Sequence, residues 1–302
     1  MNKKNLIQPL KNFKHQAFLI KKNFIPRTKN RAYPLLSSLN NYSFSRSRYE
    51  IKHGPTIIPT SSTFLVNHLL FSDPTFKELP EAPKQIFTIW FGGLMSENRK
   101  RGLEKLQDSN PHLEFHVVTE QNLENWVVKD HPLHPAFPYL SDVHKSDYIR
   151  TYLMYHHGGV YSDIKAITID WENLLEQLNN DHSLYAIGPS ESTFENVSRS
   201  PGAGKLGKDQ VINYQITLYP AAYACKPLSP FAQEHLEEIE RRLSYFEMLL
   251  RDNPPKQPWG DNPEYPIVWN ALHGQIFSPL NLKYHNHITA IPNILNDFGP
   301  HR

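Results

Sequence analysis

The stretch HHGGVYSDIK at residues 156–165 constrains the fold more than any other part of the chain. It follows a long helical pattern, DVHKSDYIRTYLMYHH, and Gly158 stands where a glycine ends a helix. The residues that follow, VYSDIKAITI, predict a β-strand at 160–169. Side chains alternate along a strand, so Asp163 and Lys165 are predicted to share one face. Two charges on a strand that enters a core indicate a functional site.

Predicted strands and helices alternate along the rest of the chain. We predict strands within 82–93 and 113–119, helices at 96–108, 121–130 and 230–251, and a proline-rich loop at 131–140. This alternation is typical of an α/β domain with a largely parallel sheet. Such sheets bind ligands at the carboxyl ends of their strands, so the site is expected there.

Charge is unevenly distributed along the chain. The net charge is only +2, but residues 1–49 contain 11 of the 32 lysines and arginines and no acidic residue. The remainder has 21 basic and 30 acidic residues, which is a net charge of −9. An acidic body with a basic arm does not suit nucleic acid, so we expect no nucleic-acid partner.

The basic arm and a linker are predicted at 1–75, ahead of a domain at 76–302. Residues 30–62 form the linker because they are rich in Ser, Asn, Pro and Arg. The arm predicts a basic amphipathic helix on an anionic membrane surface, because apolar residues recur at helical spacing: Leu6, Leu10, Phe13, Ala17 and Ile20. An organelle-targeting segment and a solvated flexible arm are the alternatives.

Several classes of protein do not fit this sequence. No apolar run approaches the ~20 residues of a membrane span. Cys225 is the one cysteine, which excludes an intramolecular disulfide and favours a reducing, cytoplasmic location. The 16 histidines lack the His-Glu-x-x-His spacing of zinc enzymes. PGAGKLGKD at 201–209 lacks the Walker spacing and predicts a glycine-rich loop that closes over a ligand.

Asp147 and Arg150 are three residues apart on the predicted helix and therefore share a face. A surface ion pair is the simpler interpretation of this spacing. The helix leads directly into the strand that carries Asp163, so in the functional interpretation the three side chains converge at one strand end. Carboxylates accept hydrogen bonds from sugar hydroxyls, and arginine binds phosphate in a bidentate manner. This pattern indicates a site for a phosphorylated, polyhydroxylated ligand.

The segment SDYIRTYLMYHHGGVYSDIK resembles the signature of glycosyltransferases whose sugar-binding region contains a DXD motif. These are family 32-type enzymes, which include mannosyltransferases and capsular polysaccharide transferases and are distant relatives of large glucosylating toxins. PKQIFTIWFGG, NPHLEFHVVTEQNL and ACKPLSPF are similar to further segments of that family. The resemblance covers roughly residues 80–250. It implies a GT-A type, Rossmann-like nucleotide-sugar-binding domain with a basic N-terminal extension.

The resemblance also implies roles for individual residues. Trp90 would lie beside the nucleotide base of the donor, and Tyr161 beside the donor itself. Asp147 would bind sugar hydroxyls, while Arg150 would contact the sugar or the diphosphate. Asp163 would be the first aspartate of the DXD motif and would face ribose, sugar or a metal ion. The simpler interpretations make Trp90 a core residue and Tyr161 a sheet aromatic.

Lys165 stands where the family has its second DXD aspartate. In the family that aspartate holds Mn²⁺ or Mg²⁺, which bridges the donor diphosphate, whereas lysine does not bind a cation. Three interpretations follow. The ammonium replaces the metal as the counter-charge; a metal binds through Asp163, phosphate oxygens and water; or the protein binds sugar nucleotides without transferring the sugar.

We therefore expect a hexosyltransferase that uses a UDP- or GDP-sugar and an acceptor hydroxyl on a glycan or protein. The resemblance implies retention of the anomeric configuration. Trp269 and His273, within 264–280, are predicted to line the acceptor side. One alternative is a non-catalytic sugar-nucleotide-binding protein, which Lys165 motivates. The other is an effector-like enzyme that glycosylates a protein, which the basic arm motivates.

Overall fold

The computed structural model of the protein describes residues 32–33, 35–37, 41–49, 69, 78–199 and 203–295. The α-helices whose bounds it describes are α1 (Arg46–Tyr49), α2 (Glu97–Asp108), α3 (Asp142–His156), α4 (Trp171–Asn180), α5 (Gly204–Ile212), α6 (Pro230–Asp252) and α7 (Gly274–Lys283). The strands are β1 (Gln85–Ile89), β2 (Glu114–Val118), β3 (Gly159–Ser162), β4 (Ala186–Pro189), β5 (Ala222–Cys225) and β6 (Ile288–Ile291). Short 3₁₀ helices occur at Leu123–Trp126, Phe137–Tyr139, Tyr214–Ile216 and His285–His287.

The predicted amphipathic helix of the basic arm lies outside the described residues. That helix and its contact with an anionic membrane therefore stay predictions. Among the helices that the structure does describe, none has the length and apolar character that a membrane crossing requires.

The strands form a mixed six-stranded sheet in the order β2-β1-β3-β5-β4-β6. β1 is parallel to both β2 and β3, and β4 is parallel to β6. β5 is antiparallel to its two neighbours, β3 and β4. The described sheet is thus largely parallel, as predicted, and its helices make it consistent with a Rossmann-like domain. Because β5 is reversed, its amino end meets the carboxyl ends of β1, β3 and β4 at one edge.

The two faces of the sheet enter separate apolar clusters. Phe87 on β1 packs into the cluster that includes α3, α6 and α7, while Ile86 packs into the cluster that includes α2 and α4. Tyr161 and Val160 on β3 divide in the same way. α3 contacts both the sheet and α6, so most of it is buried. A helix that is covered on two sides carries no single apolar stripe.

α3 begins at Ser141 and ends at the paired glycines. The Ser141 side chain accepts a hydrogen bond from a backbone N–H of the first turn. Gly158 and Gly159 have φ values of +63° and +89°, a backbone region that favours glycine. A Cβ on Gly158 would lie 2.5 Å from Cδ of Pro227, and one on Gly159 would lie 2.8 Å from a carbonyl oxygen of β1. This tight turn sends the chain directly from α3 into β3, so the two elements lie side by side.

β3 is shorter than the strand predicted at 160–169. It ends at Ser162, and the chain bends immediately afterwards. The prediction that Asp163 and Lys165 share a strand face is therefore wrong. The backbone N–H of Asp163 donates to the carbonyl of Ala221 (2.8 Å), and the chain then leaves the sheet. The two charges belong to a loop at the sheet edge rather than to a strand in the core.

Two further segments differ from their predicted structure. The helix predicted at 121–130 is a short 3₁₀ helix followed by an isolated bridge between Val128 and His131. Within the glycine-rich loop predicted at 201–209, residues 204–209 form the first turns of α5. Within α5, Lys205 and Asp209 form an ion pair one turn apart (3.3 Å), which favours a helix over a loop.

Residues 41–49, assigned to the linker from their composition, pack onto the domain. Arg48 donates two hydrogen bonds to the buried carboxylate of Asp209 on α5 (2.7 and 3.1 Å). The hydroxyl of Tyr49 donates a third (2.9 Å), and its ring shares a small apolar cluster with Leu206. The linker prediction does not hold for this segment, because its aromatic and basic side chains find partners on α5.

We expect Gly158→Ala to destabilise the protein more than Gly204→Ala. Both glycines have positive φ (+63° and +53°), so each alanine costs about 1–2 kcal/mol for the left-handed backbone. Only at Gly158 does the new Cβ collide with other atoms, which adds roughly 1–3 kcal/mol. Urea unfolding of the two variants measures the difference. Equal losses in the two variants would contradict the packing role of Gly158.

Candidate functional site

Polar residues from separate parts of the chain meet at the carboxyl edge of the sheet. Trp90 follows β1 and Asp163 follows β3, while Tyr219 and Pro220 precede β5. The backbone of Asp163 is hydrogen-bonded to the residue that follows Pro220, which brings the loop before β5 beside the loop after β3. This edge is where an α/β sheet places ligand-binding groups.

Arg150 on α3 is buried, with 8% of its side chain exposed. Its guanidinium forms an ion pair with Asp147 one turn earlier and donates a hydrogen bond to the Pro220 carbonyl (3.0 Å). Its Cζ lies 4.8 Å from the centre of the Tyr161 ring, a cation–π contact. Its Nη1 lies 3.8 Å from Oδ1 of Asp163. The spacing of Asp147 and Arg150 therefore produces a buried ion pair rather than a surface pair.

Asp163 lies between two cations, with 32% of its side chain exposed. Its Oδ1 accepts a hydrogen bond from the Tyr161 hydroxyl (2.8 Å) and faces Arg150. Its Oδ2 lies 3.4 Å from Nζ of Lys165, which also donates to the Tyr219 hydroxyl (3.3 Å). We call the following set the edge cluster: Asp147, Arg150, Tyr161, Asp163, Lys165 and Tyr219.

α2 supports the loop between Asp163 and Lys165 from its outer side. Arg99 donates a hydrogen bond from Nη1 to the carbonyl of Ile164 (2.6 Å). Gly102 allows the helix to approach closely, since a Cβ there would lie 3.2 Å from the carbonyl carbon of Lys165. The loop is therefore held by packing on one side and by the edge cluster on the other.

Burial dominates the ionisation of the edge cluster. It raises the pKa of Asp147 to about 6, although the attraction of Arg150 works in the opposite direction. Burial also works to lower the pKa of Arg150, but the surrounding groups raise that pKa, so Arg150 stays a cation. Burial and the charge of Asp163 raise the pKa of Tyr161 well above its usual value. Its hydroxyl therefore keeps its proton and remains a hydrogen-bond donor to Asp163.

His273 lies behind Arg150 and is 4% exposed. Its Nε2 is 3.3 Å from the Pro220 carbonyl that Arg150 also binds, and its ring stacks on His235. Burial and the Arg150 charge lower the pKa of His273 well below its usual value, and burial lowers that of His235 to about 3, so both rings are neutral. His273 is thus a buried neighbour of Arg150 rather than an exposed residue, and its place on the acceptor side stays a prediction.

The two predicted tryptophans lie outside the edge cluster. Trp90 is partly buried, and its indole N–H donates to the Gly93 carbonyl within the loop after β1 (2.8 Å). Trp269 is 62% exposed. It follows Val268, whose carbonyl lies 3.3 Å from Nε2 of His144 in the first turn of α3. Neither tryptophan is buried in the core, which was the simpler interpretation of Trp90.

Sequence reasoning did not identify three residues of this edge. Tyr219 and Pro220 complete the contacts of Lys165 and Arg150. The third is Glu191, which follows β4, is 4% exposed and has its pKa raised by burial. The available signals were a Tyr-Pro pair just before an apolar strand and a carboxylate just after one. Neither signal distinguishes a site residue from an ordinary turn residue.

The edge cluster does not have the donor set of a hard divalent cation. Within the residues that the structure describes, no group of three or more His, Cys, Asp or Glu side chains could hold a metal ion. Mg²⁺ and Mn²⁺ require oxygen ligands, whereas Asp163 is flanked by an ammonium and a guanidinium. The residues therefore do not fit the Mn²⁺ or Mg²⁺ that the resemblance implies.

Comparison with known proteins identifies a family. The family of capsular polysaccharide synthesis proteins matches residues 45–202, just over half of the chain. The chain belongs to this family. Membership connects the protein with glycan biosynthesis and supports, at that coarser level, the resemblance to polysaccharide transferases. No curated protein and no solved structure matches the chain.

The family match includes most of the edge cluster. The matched residues include α1, β1, α3 and β3, and with them Asp147, Arg150, Asp163 and Lys165. Tyr219 and Pro220 lie beyond the match, and they join the cluster because β5 pairs with β3. The site thus combines family-matched residues with partners from the remainder of the domain.

We expect the stability of the native protein, relative to Asp147→Asn, to fall by roughly 2 kcal/mol between pH 4 and pH 7. The ordinary pKa of 3.8 rises to about 6 on folding, so the folded state binds the proton more tightly. That contribution is present at low pH and is lost as the pH rises through about 6. Histidine titrations contribute equally to both proteins, so they cancel when the two free energies of unfolding are subtracted.

Urea unfolding of both proteins at the two pH values measures this effect. Asp108→Asn, which changes an exposed carboxylate at the end of α2, is the control. If the stability of the native protein relative to Asp147→Asn instead rises with pH, the Arg150 ion pair outweighs the burial of Asp147.

Proposed function

We propose that this protein is a glycosyltransferase that moves a hexose from a nucleoside-diphosphate sugar to a hydroxyl of a polysaccharide. Its family supports a role in glycan biosynthesis. The observation that carries the proposal is Asp163, which lies between Arg150 and Lys165 at the carboxyl edge of the sheet. A nucleoside-diphosphate sugar offers a diphosphate to the two cations and hydroxyls to the carboxylate. From the same position of Asp163 at the carboxyl edge of the sheet, we propose that the domain is of the GT-A type.

The donor binds with its diphosphate against Arg150 and Lys165. Arginine offers a planar fork of donors, and lysine offers a compact charge. The exposed part of Asp163 accepts hydrogen bonds from sugar or ribose hydroxyls, while Tyr161 holds the carboxylate in place through its hydroxyl. Trp90, at the end of β1, lies beside the uracil or guanine base. Asp147 acts chiefly through Arg150, because its carboxylate is paired with that guanidinium.

Transfer forms a bond between the acceptor oxygen and the anomeric carbon of the donor sugar. It breaks the bond between that carbon and the donor phosphate oxygen, and the electron pair leaves with the nucleoside diphosphate. The acceptor proton passes to an oxygen of that diphosphate on the same face of the sugar, so configuration is retained. Arg150 and Lys165 stabilise the charge that develops on the leaving group, which is the larger part of catalysis in such sites.

The acceptor binds beside exposed aromatic residues near the start of α3. Trp269 is 62% exposed, and Trp259 is 51% exposed. Each lies next in sequence to a residue whose carbonyl contacts the first turn of α3: Pro258 accepts from Val143 (3.2 Å), and Val268 faces His144. Sugar rings stack on exposed indoles through their apolar faces, so this rim suits a glycan acceptor.

A non-catalytic function uses the same donor site and is favoured by one observation. The resemblance described from the sequence implies a carboxylate where this chain has Lys165. A protein that binds sugar nucleotides without transfer would give donor binding but no released nucleoside diphosphate with any acceptor. A protein acceptor in place of a glycan would instead give release only when that protein is present.

We expect Asp163→Asn to lower sugar transfer roughly 100-fold or more, because the neutral amide removes the charge that organises the two cations and the donor hydroxyls. Asp163→Asn should also lose some stability, because it leaves Arg150 and Lys165, which are 8% and 9% exposed, with less opposing charge, so transfer is measured at a temperature where both proteins are folded. The measurement is release of UDP or GDP from a panel of sugar nucleotides in the presence of glycan acceptors.

Asp108→Asn is the matched control for this experiment, and thermal unfolding verifies the fold of each variant. Native turnover in Asp163→Asn would remove Asp163 from the site. Donor binding without release by the native protein, for every donor and acceptor tested, would favour the non-catalytic function.

We expect Trp269→Ala to lower transfer to the acceptor roughly five- to tenfold while leaving hydrolysis of the donor unchanged. The reason is that Trp269 contacts only the acceptor in this proposal. Tyr245→Ala serves as the control, because Tyr245 is an exposed aromatic (70%) on α6. An equal loss of transfer and donor hydrolysis would place Trp269 on the donor side.

A further inference from the structure

The formal charges of the edge cluster cancel. Asp147 and Asp163 contribute two negative charges, and Arg150 and Lys165 contribute two positive charges. A carboxylate at position 165 would change the sum to −2, which is the charge that one divalent cation neutralises. With lysine there, a bound divalent cation would leave the cluster at +2 instead.

Lys165 lies so close to Asp163 that this charge balance acts at a single carboxylate. Its Nζ lies 3.4 Å from Oδ2 of Asp163, while Arg150 lies on the side of Oδ1. A metal ion that coordinates Asp163 at ~2 Å would therefore lie close to an ammonium or a guanidinium. Repulsion between like charges is strong where solvent is largely excluded, and 9% of the Lys165 side chain is exposed.

Lys165 is also held in this position by its surroundings. Its ammonium donates to the Tyr219 hydroxyl (3.3 Å) and lies 5.6 Å from the centre of that ring. On the other side, Arg99 binds the Ile164 carbonyl, and Gly102 lets α2 pack against the backbone of Lys165. Moving the ammonium away to admit a metal ion would break its contacts with Tyr219 and Asp163, and the backbone that carries it is held against α2.

We propose that this protein binds the donor diphosphate through Arg150 and Lys165 without a divalent metal ion, so that the Lys165 ammonium takes the place of the metal beside Asp163. This inference rests on the proposed function for the identity of the diphosphate. Its other half, that the native cluster does not bind a hard divalent cation, depends only on the charges and contacts of the cluster.

The metal half is tested with Mn²⁺ alone. Electron paramagnetic resonance measures free and bound Mn²⁺ in the full-length native protein, Lys165→Asp, the double variant Lys165→Asp/Asp163→Asn and the control Lys105→Asp. Lys105 is exposed on α2, so its variant changes the net charge by the same amount at another place. We expect at least tenfold tighter Mn²⁺ binding in Lys165→Asp than in the native protein or the control, and loss of that gain in the double variant. Native affinity equal to that of Lys165→Asp would overturn the proposal.

The diphosphate half is tested by calorimetric titration of UDP and GDP in EDTA and in Mn²⁺. We expect the native affinity in the two solutions to agree within twofold, and Lys165→Met to weaken binding in EDTA at least tenfold. Methionine keeps the length and packing of the side chain, so this variant remains informative if Lys165→Asp does not fold. Nucleotide binding that requires Mn²⁺ would overturn the proposal. Absence of binding in both solutions would overturn the proposed function, while the Mn²⁺ titration still decides the metal half.

Discussion

The buried guanidinium of Arg150 is the interaction on which the rest of the site depends. A cation out of water is costly unless it is paired and hydrogen-bonded. Arg150 finds partners in three regions: Asp147 on its own helix, the Tyr161 ring on β3, and the Pro220 carbonyl before β5. Since these partners meet only when α3, β3 and β5 are packed together, assembly of the site is coupled to assembly of the sheet.

The paired glycines give the geometry that this coupling needs. They turn the chain within two residues, so β3 returns alongside α3. From Arg150 to His156 the helix advances ~9 Å, and the four residues of β3 advance ~13 Å in the opposite direction. The strand thus runs back ~4 Å further than this part of the helix, and the Arg150 guanidinium lies 3.8 Å from Asp163. A longer, flexible connection would leave the register between α3 and β3 undefined. Asp163 would then not be held beside Arg150.

Sequence reasoning predicted the elements whose signals are local. α2, α3 and α6 have helical patterns with a defined start or stop, and β1 and β2 have short apolar runs, so each was found close to its observed bounds. β3 was predicted too long because DIKAITI continues an alternating pattern beyond the last residue that pairs with β5. Strand ends depend on a partner strand, and Ala222 on β5, which pairs with the last residue of β3, is sixty residues further along the chain. The docked segment at 41–49 was missed for the same reason, since its partners are on α5.

By itself, the sequence determined that Asp147 and Arg150 share a helix face and that a glycine turn leads from this helix toward Asp163. Helical periodicity and glycine conformation are local properties, so they can be read from consecutive residues. Only the tertiary structure decided that Lys165 turns back to Asp163 and that Tyr219 and Pro220 complete the cluster. It also placed His273 behind Arg150 rather than at the surface. These contacts arise from the pairing of β3 with β5 and the packing of α2 and α7, which join distant residues through hydrogen bonds and burial that no local pattern records.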